Sequence, residues 1–417
     1  MGVYGRPKAP SLAEGLLGSR LQTKNKEEID RLKGALGEES GLALCLGAGA
    51  AKDIGLPLWP ELINDLMLRA IITDDSFCRL FWGDEAGSQD EIREQFLEAA
   101  QKPIFFKDIN ALELAEYVSV MLETQLEKTA KERLTEKNAE EGLRRLVLSA
   151  LCEQWPEESH RTEAFHNEHG ELIMALARLV VEERGVKQVL TYNFDDALEY
   201  AINQIQRDSA ADSAKLLKIK SLRGRDCVYT DSNDGTERFI YHIHGYLPIF
   251  IKAAGAGGGD EDESTGGIIL SERSYYGLED ELYEPTNICH AQLLTAHRCL
   301  FIGCSAQDHH FKRLTKGMAD PGSGNGNREK TRHFICLDVN SVATGIYNTG
   351  NLAVINSSDL NENNVKYLML QSALDMKRDY YEKHGFSPIY FAIDDPNDRR
   401  RKDLNRMLEY IMESIRH

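Results

Sequence analysis

Short apolar runs, each closed by glycine or a polar cluster, alternate along the chain with segments whose apolar residues recur every three or four positions. Leu42-Ala43-Leu44-Cys45-Leu46, with Gly41 before it and Gly47 after it, reads as a short buried strand. Gln188–Thr191, Phe239–Ile243, Cys299–Ile302, His333–Leu337 and Pro388–Ala392 read as further strands. Helices are predicted over Glu27–Leu36, Trp59–Ala70, Glu171–Glu183, Asp195–Gln206, Thr286–Ala296 and Asp403–Ile415. Pro60 falls in the first turn of the second of these, where a missing N–H costs nothing. From Asp84 to Arg161 strand signals nearly vanish. Leu112, Leu114, Ala115, Val118 and Leu122, then Leu143, Leu146, Leu148 and Leu151, keep helical spacing and predict a helical insertion, either a substrate cover or an oligomer contact.

Alternating strands and helices imply an α/β architecture: a Rossmann-like, mostly parallel sheet flanked by helices, interrupted by that insertion. At 417 residues the chain exceeds the usual single core, so one large domain with an insertion, or two domains, is expected. The divisions read as 1–38, an N-terminal helical segment; 39–83, the first part of the Rossmann-like domain; and 84–161, the insertion. The remainder of the domain takes 162–395 and a C-terminal helix 396–417. Ala253–Gly267 is Gly-rich, acidic and too polar to pack, which suits a flexible loop or an active-site lid; Pro321–Glu329 is another turn-rich break.

Composition narrows the partners. A net charge of -18 argues against direct nucleic-acid binding, because phosphates need clustered Lys and Arg. The one dense basic run, Arg399-Arg400-Arg401-Lys402, suits either a local patch or a solvated helix start. No apolar run is long enough to span a bilayer, and Met1–Lys26 lacks the apolar block of a signal peptide, so a cytoplasmic location with no membrane contact is expected. None of the eight cysteines forms a Cys-x-x-Cys pair, so no metal site is expected. Cys45, Cys299, Cys304 and Cys336 lie in or beside strand-like runs, where free thiols behave as small buried hydrophobes.

Chemistry-bearing residues gather where strands stop. Gly47-Ala48-Gly49 follows the first strand and could bring backbone close to a pyrophosphate, although Lys52 stands where a dinucleotide fingerprint has its third glycine. Trp59, beyond the turn Gly55-Leu56-Pro57, either covers a planar base or packs in the core. Tyr192-Asn193-Phe194-Asp195-Asp196 closes the strand ending at Thr191. Tyr241-His242-Ile243-His244-Gly245 closes another; its two histidines, two apart on a strand, should share a face. No third ligand accompanies them at a telling spacing, and His244 is the better acid/base candidate. Gly303-Cys304-Ser305-Ala306-Gln307-Asp308 forms the last cluster, in which Ser305 and Asp308 either bind phosphate or sugar or cap a helix. Ligands in open α/β sheets sit at the carboxyl ends of strands, so these clusters are candidates for one site.

In their order along the chain, Gly47-Ala48-Gly49…Gly55-Leu56-Pro57, Tyr192-Asn193-Phe194-Asp195, His244-Gly245 and Gly303-Cys304-Ser305 resemble the motifs of sirtuins. The resemblance implies one NAD+ pocket. Gly47, Ala48 and Gly49 would hold the pyrophosphate, Trp59 would lie beside the nicotinamide, and Asp195 would hold the carboxamide. Tyr192 takes the place of a glutamine, Asn193 would contact the ribose and position a water, and His244 would be the base. Gly303 and Ser305, with Asp308 nearby, would face the adenosine side. The chain departs from the family at Ala51, where sirtuins carry Ser, at Leu58-Trp59-Pro60, and in lacking the four-cysteine zinc ribbon that supports a peptide cleft. It therefore looks like the divergent sirtuin-like domains of bacterial antiphage systems, and implies hydrolysis of NAD+ to nicotinamide and ADP-ribose. The resemblance further implies a homo-oligomer partnered with a HerA-type DNA-translocating ATPase. A protein deacylase, or a silent NAD- or ADP-ribose-sensing scaffold subunit, are the alternatives.

Overall fold

The computed structural model describes residues 13, 16–36, 41–73, 111–129, 136–152, 163, 165, 170–182, 186–208, 217–230, 236–251, 268–270, 273–274, 284–304, 333–340, 362–392 and 402–416. The strands are β1 (Leu42–Leu46), β2 (Gln188–Thr191), β3 (Lys218–Arg223), β4 (Glu237–His242), β5 (Arg298–Ile302), β6 (His333–Asp338) and β7 (Phe386–Phe391). They form one sheet in the order β3-β4-β2-β1-β5-β6-β7. Every neighbouring pair is parallel, for example Leu46 opposite both Thr191 and Ile302.

The alternation of side chains along a strand divides the core into two layers. Leu42, Leu44, Leu46, Val189, Ile240, Leu300 and Ile302 face one layer, with residues of α2 (Trp59–Thr73), α5 (Glu171–Val181), α6 (Ala197–Asp208) and α9 (Lys402–Arg416). Ala43, Cys45, Leu190, Tyr241, Cys299 and Phe301 face the other, against α7 (Pro285–Ala296) and α8 (Glu362–Lys383). Each fully buried aliphatic side chain contributes roughly 1.5–3 kcal/mol over leaving it exposed. The expected insertion supplies α3 (Ala111–Thr129) and α4 (Glu136–Cys152), whose Leu114, Val118, Leu143 and Val147 continue the first layer. The cysteines among the described residues are free, five of them buried.

Both sheet edges are protected. β7 is closed by α1 (Ser19–Leu36): the Asn25 amide donates to the Tyr390 carbonyl at 2.7 Å and accepts the Tyr390 N–H at 2.7 Å, as a neighbouring strand would. Pro388 lies within β7, which an edge strand tolerates. At the other edge β3 carries Lys218, Lys220 and Arg223.

The core strands lie where the apolar runs put them, but β3 and α8 have no counterpart among the expected elements. β3 reads Lys-Ile-Lys-Ser-Leu-Arg because it pairs on one side only and stays largely exposed. α1 begins at Ser19, eight residues before the expected start. β4 ends at His242 rather than Ile243. The expected breaks at 253–267 and 321–329, and the basic run at 399–401, lie outside the described residues.

One fully buried cation ties α5 to the sheet. Arg238 donates through Nε to the Val180 carbonyl at 2.8 Å and through Nη2 to that of Glu182 at 3.1 Å, closing the carboxyl end of α5. Arg238→Met removes these donors, and with them the Nη1 bond to the Glu237 carbonyl at 3.1 Å, while keeping an unbranched apolar side chain. It is expected to cost about 3 kcal/mol, read as a lower urea midpoint at unchanged slope.

Candidate functional site

The topology reverses direction at β1 and β5, and ligands of open α/β sheets bind at the carboxyl ends flanking such a switch. The exits of these strands interlock. The Gly47 N–H donates to the Ile302 carbonyl at 3.0 Å and the Gly49 N–H to the Gly303 carbonyl at 3.0 Å. Gly303 takes φ +73, and a methyl there would land on the Ala50 amide nitrogen and 2.6 Å from the Gly49 carbonyl carbon. A methyl on Gly47 would come within 2.6 Å of the Gly303 oxygen. Mutual contact of the two loops therefore demands glycine, and two amides expected to face a pyrophosphate are used in holding the loops together. Lys52 pairs with Glu61 at 3.4 Å, and Glu61 accepts the Leu58 N–H at 2.8 Å ahead of α2.

The β2 exit lies against this pair of loops. The Tyr192 N–H extends the ladder to the Leu46 carbonyl at 2.9 Å, and the Asn193 N–H donates to Thr191 Oγ1 at 3.0 Å. From that position Asn193 Nδ2 donates to the Gly47 carbonyl at 3.3 Å. The Phe194 ring packs 6.2 Å from the half-buried Trp59. Asp195 Oδ1 accepts the Ala197 N–H at 3.1 Å, capping α6. Asp196, fully buried, accepts the N–H groups of Ile249 (2.8 Å), Phe250 (2.9 Å) and Ile251 (2.8 Å). The Leu247 N–H reaches the Phe194 carbonyl at 2.7 Å. The β2 and β4 exits are thus laced together by main-chain donors.

The two histidines part company, against the expectation of a shared face. The strand stops at His242, and His244 sits in the turn beyond it, so strand alternation no longer relates them. His242 meets Glu199 of α6 at 2.7 Å. His244 is buried beside Tyr192, the ring centroids 5.3 Å apart and edge to face, and its carbonyl accepts the Ile269 N–H at 2.9 Å. Tyr192 Oη lies 3.0 Å from Nε2 of His290, a fully buried residue of α7.

Four loops from adjacent strands thus converge, and a comparison of the sequence with family models gives their kind. Residues 187–349 match the model of the SIR2-like domain. This segment is sirtuin-like, and SIR2-like domains use NAD+. A search of curated proteins finds no match. The SIR2-like segment contains Tyr192, Asn193, Asp195, His244 and Gly303; Gly47, Ala48, Gly49 and Trp59 precede it and are brought to it by β1 and α2. Ser305 and Asp308 fall within it but outside the described residues. Among the described residues no group of three or more His, Cys, Asp or Glu side chains is placed to hold a metal, and no helix is long and apolar enough to cross a membrane.

Tertiary contacts of the SIR2-like segment give partners to Asp196 and His242, which the sequence names without a role, and add Glu199 and His290, which it does not name. Asp196, Glu199, His242 and His290 have partners 43 to 98 positions away. The adjacent acids Asp195-Asp196 were the only signal in the sequence that the turn carries more than one carboxylate. Burial pushes the Asp195 carboxyl up to about 7; the Ala197 amide opposes this, while Asp196 and Glu199 add to it and His242 subtracts. A raised native carboxyl pKa means the folded state binds more protons than the unfolded chain between the ordinary value and about pH 7, so this group lowers stability as pH rises through that window. Asp195→Asn keeps an oxygen for the Ala197 N–H and removes the charge. Its melting temperature should therefore exceed wild type by roughly 2–4 °C at pH 8, the difference vanishing below pH 4. An equal difference at both pH values would contradict the buried-charge account.

Proposed function

We propose that this chain is an NAD+ glycohydrolase that cleaves NAD+ to nicotinamide and ADP-ribose. The observation that carries the reading is the contact of the Asn193 side chain with the Gly47 loop at 3.3 Å, in a SIR2-like segment that also holds His244 on the neighbouring strand exit. It sets a polar amide suited to a ribose and a water against the glycine loop that locks the β1 and β5 exits together. Trp59, which packs against Phe194, would cover the nicotinamide ring, and Asp195, its carboxyl pushed up to about 7, would meet the carboxamide as donor or acceptor.

In the proposed reaction the bond between ribose C1′ and the nicotinamide nitrogen breaks, its electron pair returning to the pyridinium. Nicotinamide leaves neutral and needs no general acid. Water adds to C1′ through an oxocarbenium-like transition state. Asn193 orients that water and His244 takes its proton. Gly303, Ser305 and Asp308 would bound the adenosine side.

The physiological setting proposed is NAD+ depletion in antiphage defence, by a homo-oligomer of this chain joined to a HerA-type ATPase. Incubation of the purified chain with NAD+, alone and with that ATPase, followed by nucleotide chromatography, tests it. Equal yields of nicotinamide and ADP-ribose are expected in at least one arm. Release that requires an acetylated peptide and yields O-acetyl-ADP-ribose would mark a deacylase instead. Tight NAD+ binding without consumption in both arms would mark a silent scaffold.

A further inference from the structure

We propose that His242 is a positively charged strut, kept protonated by Glu199, that positions Asn193; the proposal rests on the hydrolase reading of Asn193. His242 is almost wholly buried at the end of β4. Its Nε2 lies 2.7 Å from Glu199 Oε1 and its Nδ1 3.3 Å from the main-chain oxygen of Asn193. Both partners are acceptors. A neutral imidazole has one N–H and can serve only one of them, so the pair of contacts calls for the doubly protonated ring.

The surroundings supply the charge. Glu199 is itself buried, and its Oε1 also accepts the Ser221 hydroxyl from β3 at 2.8 Å, so the carboxylate is anchored from a third element. Burial alone would drive the proton off His242, but the Glu199 carboxylate, the Asn193 carbonyl and Asp195 outweigh it and raise its pKa. Burial likewise works against Glu199 ionisation, and His242 with Ser221 reverses it, lowering the pKa. Among the described residues, the other groups at the ring are Tyr246, edge-on at 4.7 Å, and Arg223, the register partner of His242 on β3, whose guanidinium stacks over Tyr246 at 5.1 Å. Asp196 is turned towards the amides of 249–251.

The mechanical consequence is restraint of one residue at three points. The Asn193 N–H is held by Thr191 Oγ1, its carbonyl by His242, and its side chain by Gly47. Loss of the middle point frees the peptide plane that aims the side chain, and displacements of about 1 Å at a reacting group cost up to roughly a hundredfold in rate.

Glu199→Gln tests the strut, because the amide still accepts from Ser221 and from one imidazole N–H but no longer holds the second proton on the ring. The ratio of wild-type to variant kcat for nicotinamide release should widen from near unity at pH 5.5 to about tenfold at pH 8, with KM little changed. A group that acted only through overall stability would lower kcat equally at both pH values. Histidine-selective NMR, with the His242 signal assigned by its loss in His242→Gln, should show an imidazolium at pH 8 in the wild type and a ring that loses its charge between pH 5.5 and pH 8 in Glu199→Gln. A neutral wild-type ring at pH 7, or a kcat ratio flat with pH, overturns the strut. The two readings fail separately. A wild type that releases no nicotinamide sinks the hydrolase, and the strut is then judged by the ring charge and by amide exchange of residues 191–197. Glu199→Gln should accelerate that exchange at pH 8 relative to wild type and not at pH 5.5; equal exchange overturns the proposal.

Discussion

Gly303→Ala is expected to cost the chain about 4 kcal/mol or more of its stability. The added methyl meets backbone on three sides, the Ala50 nitrogen, the Gly49 carbonyl carbon at 2.6 Å and the Gly47 oxygen at 2.8 Å, none of which can rotate out of the way. The residue must also hold φ +73, which costs a non-glycine residue roughly 1–2 kcal/mol by itself. Overlap with fixed atoms adds about 3 kcal/mol or more, against a total stability on the order of 5–15 kcal/mol. Gly385→Ala separates the two contributions. Gly385 takes φ +83 with open space where the methyl would go, so it carries the conformational cost alone. Soluble yield and urea midpoint should fall slightly for Gly385→Ala and steeply for Gly303→Ala. Matching midpoints would show that the β1 and β5 exits do not depend on their close contact.

The second large effect is on turnover. Asn193→Ala and His244→Ala should each lower nicotinamide release by about a thousandfold, the range of a lost water-positioning or general-base group. Asn193→Ala also removes the donor to the Gly47 carbonyl, worth about 1 kcal/mol. That is too little to unfold a sheet whose central strands are buried on both faces. A melting temperature within a few degrees of wild type is therefore part of the expected result. Wild-type release rates from either folded variant would remove that residue from the mechanism. Reading both variants beside Glu199→Gln orders the groups by whether they act on the reaction or on a neighbour.

Legibility in the sequence followed burial. β1 and the Cys299–Ile302 part of β5 are enclosed on both faces and read as unbroken apolar runs, while β2 shows only Val189-Leu190 between the buried polar Gln188 and Thr191. β3 sits at an edge and reads as a polar stretch. α8 was missed because Leu368, Met369, Met376 and Tyr380 stand on its exposed side, blurring the period that Leu370, Leu374 and Tyr381 keep on the buried one.

The same division runs through the candidate site. Residue type and strand-end position, both local properties, were enough to single out Gly47, Asn193, His244 and Gly303 from the chain itself. That these exits touch, that the glycines serve the contact between two loops, and that His242 and His244 turn to different partners depend on residues far apart in sequence. Hydrogen bonds and buried charge pairs are decided by distance in space, and only the parallel order β4-β2-β1-β5 brings those distances down to contact.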